Sequence, residues 1–331
     1  NFLQLILDLG EVSIYAVTLF LLFQNAYTVD KIVLVIGYFT MLNQELKYVL
    51  QTCVKNVVDC RVSVERIYSL LNYRPKNNKI TNTVKEDNIK GSLEFSHVYS
   101  SYQDKQVLKD VTFKVKPNEL TAIVGRSGSG KSTILNIILR LIKPDSGKVL
   151  IDKEDIYNYT KDVYKTNVSV VTQKSILFNM SIKDNLTLVE PNFKRCQEVC
   201  NNLEIHDEIL SLPKGYNTVI DENSTNISTS LKQLLSIARS ILTNSEILLF
   251  DEVTSSLDAT NTRKVVKVFK ELSKTNTVII ITHKKDVMNK ADHLIIIDKG
   301  KKVADGSPKS LEDNKYYLNL RDSSSVSNNN I

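Results

Sequence analysis

Apolar residues are segregated along this chain rather than spread through it. Residues 12–29 (VSIYAVTLFLLFQNAYTV) carry no charge, and 18 such residues just suffice for a helix to cross the hydrocarbon of a bilayer. Asp30 and Lys31 interrupt the run before residues 32–44 (IVLVIGYFTMLNQ) resume it. Between Tyr38 and Arg74 there is neither Gly nor Pro. One helix of about 55 Å is therefore allowed, well beyond the ~30 Å of a hydrocarbon core. Lys47, Lys55, Arg61 and Arg66 on its second half predict that this end is cytoplasmic. The pattern predicts about two transmembrane helices; the competing reading is a helical hairpin buried in a soluble domain.

Pro75 ends this helix, and residues 76–90 (KNNKITNTVKEDNIK) are polar, as linkers are. Beyond them the period changes. Short β-rich runs at 93–98, 120–124, 148–151, 168–171, 247–250, 277–281 and 293–298 alternate with helical patterns. Several are apolar throughout, as strands covered on both faces are. The expected fold is α/β with a mostly parallel core sheet. Residues 323–331 (SSSVSNNNI) read as disordered by composition. The expected organisation is the C-terminal part of a transmembrane domain over 1–74, a linker over 75–90, an α/β domain over 91–320 and a tail over 321–331.

Composition adds little to this. A hydrophobic share of 42% and a charged share of 24% exclude collagen-like, coiled-coil and fully disordered chains. They do not exclude a membrane protein, because the mean hydropathy of −0.15 averages over segregated parts. A net charge of +6, from 43 basic against 37 acidic residues, suits nucleic acid or a membrane surface and decides for neither. Cys53, Cys60, Cys196 and Cys200 have no histidine at metal-ligand spacing and read as free thiols in a reducing compartment. The chain opens on Asn1 and runs into apolar sequence without a basic leader. No signal peptide is expected, and a longer parent protein is.

Candidate chemistry begins at residue 125. Gly125, Arg126, Ser127, Gly128, Ser129, Gly130, Lys131, Ser132 and Thr133 match G-x-x-x-x-G-K-[ST], directly between the run 120–124 and a helical pattern. The glycines let backbone N–H groups turn inward around phosphates, and the helix N-terminus adds its positive dipole. Lys131 is expected to bridge the β- and γ-phosphates and Ser132 to hold Mg2+. The apolar run 247–250 ends in Asp251 and Glu252. Asp251 is placed to hold Mg2+ through water, and Glu252 to act as general base on an attacking water.

With further residues, the pattern resembles the ATP-binding cassette (ABC) transporter family. Val171, Thr172 and Gln173 look like its glutamine loop, Ser255 to Asp258 like its D-loop, and Ile281, Thr282 and His283 like its switch histidine. Tyr102 aligns with the family's adenine-stacking aromatic, with Tyr99 as the alternative. The likeness runs from 91 to about 312. The helix entering residues 63–71 (SVERIYSLL) is similar to the exporter branch, where membrane helices precede the cassette.

The resemblance implies a P-loop NTPase cassette with a mostly parallel core sheet, an antiparallel β subdomain and a helical subdomain. It implies ATP and Mg2+ as cofactors. Glu252, His283 and Gln173 become the catalytic set, with His283 reaching the γ-phosphate, and Ser132, Gln173 and Asp251 become the Mg2+ ligands. The implied activity is ATP-driven export by one half of a dimeric transporter, embedded in membrane lipid with its cassette on the cytoplasmic side. By family frequency the cargo is a peptide or drug-like molecule.

One departure matters. Family members bind ATP between two cassettes, against a Leu-Ser-Gly-Gly-Gln signature at a helix N-terminus of the second. Here that place reads Ile227, Ser228, Thr229, Ser230 and Leu231. The Ser cap survives, but both glycines and the glutamine are gone. Each Cβ costs on the order of 1–3 kcal/mol if positive φ is needed there. A degenerate signature beside an intact phosphate loop, Glu252 and His283 favours a heterodimer in which Ser228 faces the partner's ATP. A homodimer is the alternative. A soluble cassette ATPase acting on nucleic acid or ribosomes calls for a second cassette, a long coiled coil or a basic stripe, none of which the sequence has; no nucleic-acid partner is expected. Intact Glu252 and His283 oppose a non-transporting, ATP-sensing subunit.

Overall fold

A computed structural model describes residues 2–24, 28–72, 89–102, 105–221 and 226–326, which fall into two compact units, 1–78 and 79–331.

The first unit is a pair of helices, α1 (Phe2–Phe23) and α2 (Val29–Leu71). At 1.5 Å per residue they run about 33 and 65 Å. The break lies before Val29, with Thr28 extended at φ −74° and ψ 149°, not at Asp30 and Lys31. Asp30 sits in the first turn of α2, where a negative charge suits the helix dipole. The uncharged stretch 12–29 is thus split between a helix end and a connection. Lys47 Nζ binds Asp8 at 2.7 Å and Glu11 at 3.0 Å, and Asn43 Nδ2 donates to Glu11 at 3.0 Å, which sets the helices antiparallel. Among the described residues no helix is long and apolar enough to cross a membrane. Length is present; unbroken apolarity is not.

The second unit has two sheets. The smaller is antiparallel, in the order β2-β1-β4-β5: β1 (Leu93–Tyr102), β2 (Lys105–Val115), β4 (Ser146–Ile151) and β5 (Glu154–Asp155). The larger has the order β10-β9-β3-β8-β7-β6: β3 (Leu120–Val124), β6 (Val168–Val171), β7 (Ile247–Asp251), β8 (Thr277–Thr282), β9 (His293–Asp298) and β10 (Lys301–Gly306). Its strands are parallel except edge strand β10.

Side chains alternate across a strand, so the large sheet feeds two cores. Leu120, Ala122, Val124, Leu248, Phe250, Ile280 and Ile296 face one. It is shared with α5 (Ile182–Thr187), α6 (Phe193–Asn202), α7 (His206–Ser211), α8 (Thr229–Leu242), α9 (Ala259–Leu272) and α10 (Lys285–Lys290). Ile123, Leu249, Ile279, Ile281 and Ile295 face the other, shared with β1, β2, α3 (Lys131–Ile138) and α4 (Lys161–Asn167). This is the cassette architecture the resemblance implies. The last helix, α11 (Lys315–Val326), runs past the expected domain end at 320, so the expected tail is helical as far as Val326. Residues 327–331, and residues 75–88 of the expected linker, lie outside the described residues.

Candidate functional site

Register brings the candidate residues to one edge. Val124 pairs with Thr282, Ile281 with Asp251 and Phe250 with Val171, so β3, β8, β7 and β6 end together. The phosphate loop, His283, the Asp251–Glu252 pair and Gln173 therefore leave neighbouring strand ends. Ligands of open parallel sheets bind at such carboxyl ends.

The phosphate loop needs its glycines. A Cβ on Gly125 would lie 2.2 Å from Ile297 O, and Gly130 takes φ +109° with Leu108 Cδ2 2.8 Å from its would-be Cβ. Lys131 is buried, and its Nζ donates to Gly125 O at 2.8 Å and Arg126 O at 2.9 Å. Burial pushes this ammonium's pKa down, with Glu252 and Asp251 opposing the shift. Arg126, Ser127, Gly128 and Ser132 are exposed, Thr133 is half-buried, and Ser129 Oγ is buried without a hydrogen-bond partner among the described residues. Gly300, in the β9–β10 turn, braces the loop by donating to Ser129 O at 2.9 Å.

Asp251 ends β7 half-buried. Burial raises its carboxyl pKa, Glu252 raises it further, and Lys131 opposes. Glu252 stands in the left-handed region at φ 48°, with its N–H bonded to Ile281 O at 2.9 Å. Glu252 Oε2 accepts from Gln173 Nε2 at 3.2 Å, and Oε1 lies 3.7 Å from His283 Nδ1. The structure thus gathers all three expected catalytic side chains at one carboxylate. Among the described residues no group of three or more His, Cys, Asp and Glu side chains could hold a metal. Ser132, Asp251 and Gln173 carry oxygens, the donor type that Mg2+ takes, and Mg2+ needs few protein ligands because phosphate and water complete its shell.

Two expected residues lie elsewhere. Tyr102, at the end of β1, is 68% exposed, whereas Tyr99 is half-buried between β2 and β4 and its carbonyl takes Asp145 N–H. Ser228 caps α8 in the helical layer, its Oγ accepting from Leu231 N at 3.0 Å. That hydroxyl also donates to Glu208 Oε1 at 3.2 Å. Thr229 is exposed and Ser230 half-buried, while Leu231 is buried at 1% exposure in the apolar core. Glu208 and Lys284, which reaches behind Glu252, carry no motif, and no spacing rule finds them.

The profile of the ABC transporter family matches residues 108–255. The ATP-dependent lipid A-core flippase of Haemophilus influenzae is 35% identical over 262 residues, covering 77% of this chain and 44% of the flippase. The alpha-hemolysin translocation ATP-binding protein of Escherichia coli O157:H7 is 34% identical over 261 residues, covering 78% of this chain and 37% of its own length. A bacterial Atm1-family ABC exporter with ATP bound matches the fold with a TM-score of 0.75 and 28% identity, over 97% of this chain and 57% of that one. This chain spans less than half the length of the curated relatives it matches. It belongs to the ABC transporter family, and its second unit is that family's ATP-hydrolysing cassette.

Proposed function

We propose that the protein drives export across a membrane by hydrolysing ATP, as one half of a two-cassette transporter. The observation that carries this reading is the meeting of Gln173 and His283 at the Glu252 carboxylate, beside Asp251 and the phosphate loop. The relatives named for lipid flipping and toxin translocation support export as the work done.

In this reading Lys131 exchanges its bonds to Gly125 O and Arg126 O for β- and γ-phosphate oxygens, and the loop N–H groups wrap the phosphates. Tyr102 stacks on the adenine, a contact worth about 1–3 kcal/mol. Ser132, Asp251 and Gln173 would hold Mg2+, which would neutralise charge on the phosphates. Glu252 orients the attacking water and takes its proton, and His283 donates a hydrogen bond to the γ-phosphate.

In this reading the glutamine-loop region, around Lys174 to Asn185, passes the cassette's motion to the membrane part of the transporter. Helices α1 and α2 belong to that membrane part, in contact with lipid, and the cassette is cytoplasmic. The second cassette is a different chain whose intact signature completes this chain's ATP site. Ser228 and its neighbours meet the partner's ATP. A peptide or drug-like cargo is the proposed class.

The test is ATP turnover by the full protein with its co-purifying partner in lipid nanodiscs. Glu252→Gln is expected to lower turnover by about 10²-fold or more while ATP still binds. Turnover at the wild-type rate would overturn the reading. Equal turnover by a purified homodimer would remove the heterodimer.

A further inference from the structure

Successive residues leaving β8 point to opposite sides. His283 turns toward Glu252; Lys284 turns toward the segment that follows Glu252. Lys284 Nζ donates to Leu257 O at 2.8 Å and to Thr262 Oγ1 at 3.3 Å, and its N–H donates to Thr282 Oγ1 at 3.0 Å. Leu257 is the far end of a short series of turns. Ser255 N–H bonds Glu252 O at 2.9 Å, and Leu257 N–H bonds Thr254 O at 3.2 Å. The series begins at Glu252 with its left-handed backbone.

A side-chain-bearing residue keeps that conformation only where its surroundings over-determine it. Two bonds from the end of β8 do so here. One is Ile281 O to Glu252 N–H; the other is the Lys284 ammonium on Leu257 O. The ammonium is half-buried and meets neutral acceptors. Burial pushes its pKa down, with Asp286 and Asp258 opposing. An apolar side chain would fill the space without that desolvation. What the cation adds is a directed hold on a carbonyl.

We propose that Lys284 is a positioning residue for ATP hydrolysis, tying the His283 loop to the turn behind Glu252 so that both side chains keep one geometry toward the γ-phosphate. This rests on the hydrolytic reading of the site. Lys284 has no bond to the phosphate loop among the described residues, so its effect falls on turnover and not on ATP affinity.

The experiment compares Lys284→Met and Lys284→Arg in the full protein with its co-purifying partner in nanodiscs, measuring kcat, KM and ATP binding. Lys284→Met keeps the apolar stem and loses the donor; it is expected to lower kcat about tenfold with KM within about twofold. Lys284→Arg keeps charge and donors and is expected to recover most of that loss. A Lys284→Met kcat within about twofold of wild type overturns the proposal. So does a matching rise in KM, or an Arg variant as impaired as the Met variant, since either marks ordinary packing. If Lys284→Met does not fold, Thr262→Val removes one acceptor only; about a threefold fall in kcat at constant KM is expected, and an unchanged kcat overturns the proposal. A wild type that binds ATP without turnover would sink the hydrolytic reading itself, and the proposal with it.

Discussion

Ser228 Oγ donates its hydrogen to Glu208 Oε1 at 3.2 Å while accepting from the N–H of Leu231. The start of α8 is where the family resemblance places a partner's phosphates, and helix N-termini favour anions. This chain sets its own carboxylate there. A second anion about 4 Å away would be opposed by about 1–4 kcal/mol, depending on how well water screens the pair.

Replacing Glu208 by Gln should therefore improve the altered signature. In a Glu252→Gln background, where bound ATP persists, Glu208→Gln is expected to lower the ATP concentration that joins two cassettes by about three- to tenfold, most strongly at low salt. Energy transfer between this chain and its co-purifying partner, each labelled, during ATP titration measures this. An unchanged midpoint would show that Glu208 has no part in the weak signature.

Rebuilding the family signature should split into a tolerated part and a costly part. Thr229 is exposed and Ser230 only half-buried, so Thr229→Gly with Ser230→Gly costs no more than about 1 kcal/mol per helix position. Leu231 lies in the core at 1% exposure. Leu231→Gln strands an amide there and is expected to cost about 2–4 kcal/mol. Thermal melts of the two variants separate these outcomes; equal melting temperatures would mean that residue 231 faces outward.

The raised carboxyl pKa of Asp251 has a definite sign in pH experiments. As pH falls, Asp251 takes up its proton sooner than a free aspartate, whose pKa is about 3.9, and a protonated carboxyl is a poor Mg2+ ligand. Mg2+ affinity should therefore begin to fall at a pH above the ordinary aspartate range. Stability runs the other way. The folded state binds the proton more tightly than the unfolded chain, so Asp251 begins to cost stability as pH rises through the interval between the two pKa values and costs it in full above. Asp251→Asn should raise the melting temperature at pH 7 while abolishing turnover. A lower melting temperature would contradict this.

Cys196 and Cys200 lie on one buried face of α6. Burial raises both thiol pKa values, that of Cys200 to about 11. Thiolate is the reactive form, so neither should react with maleimide at pH 7 until the domain unfolds, whereas exposed Cys53 and Cys60 should. Mass spectrometry of the labelled native protein checks this, and alkylation at Cys196 or Cys200 would refute it.

Strands β3, β7, β8 and β9 are legible in the sequence because burial on both faces demands nearly unbroken apolar runs. Strands β2, β5 and β10 are not. Strand β2 alternates exposed and buried positions around Lys109, Asp110 and Lys114, and β10 is an edge strand with Lys301 and Asp305 exposed. Within the stretch 12–29 it is the helix boundary that is not legible. Helix α1 ends at Phe23 and α2 begins at Val29, inside an uncharged stretch whose hydropathy marks no break.

The chain order of the phosphate loop, Gln173, the Asp251–Glu252 pair and His283, and the absence of glycine from residues 227–231, can be read without a structure. Each is a local matter of residue type and spacing, and local chemistry sets a phosphate-binding turn or a helix cap. Which side chains meet is another matter. Strand order β3-β8-β7-β6 differs from chain order, so Gln173 reaches Glu252 across 79 residues, and Lys284 reaches Leu257 across 27. The inward turn of Leu231 and the reach of Glu208 to Ser228 are likewise set by how α7 and α8 pack. Long-range contacts follow from burying two faces of one sheet, and no periodicity along the chain records them.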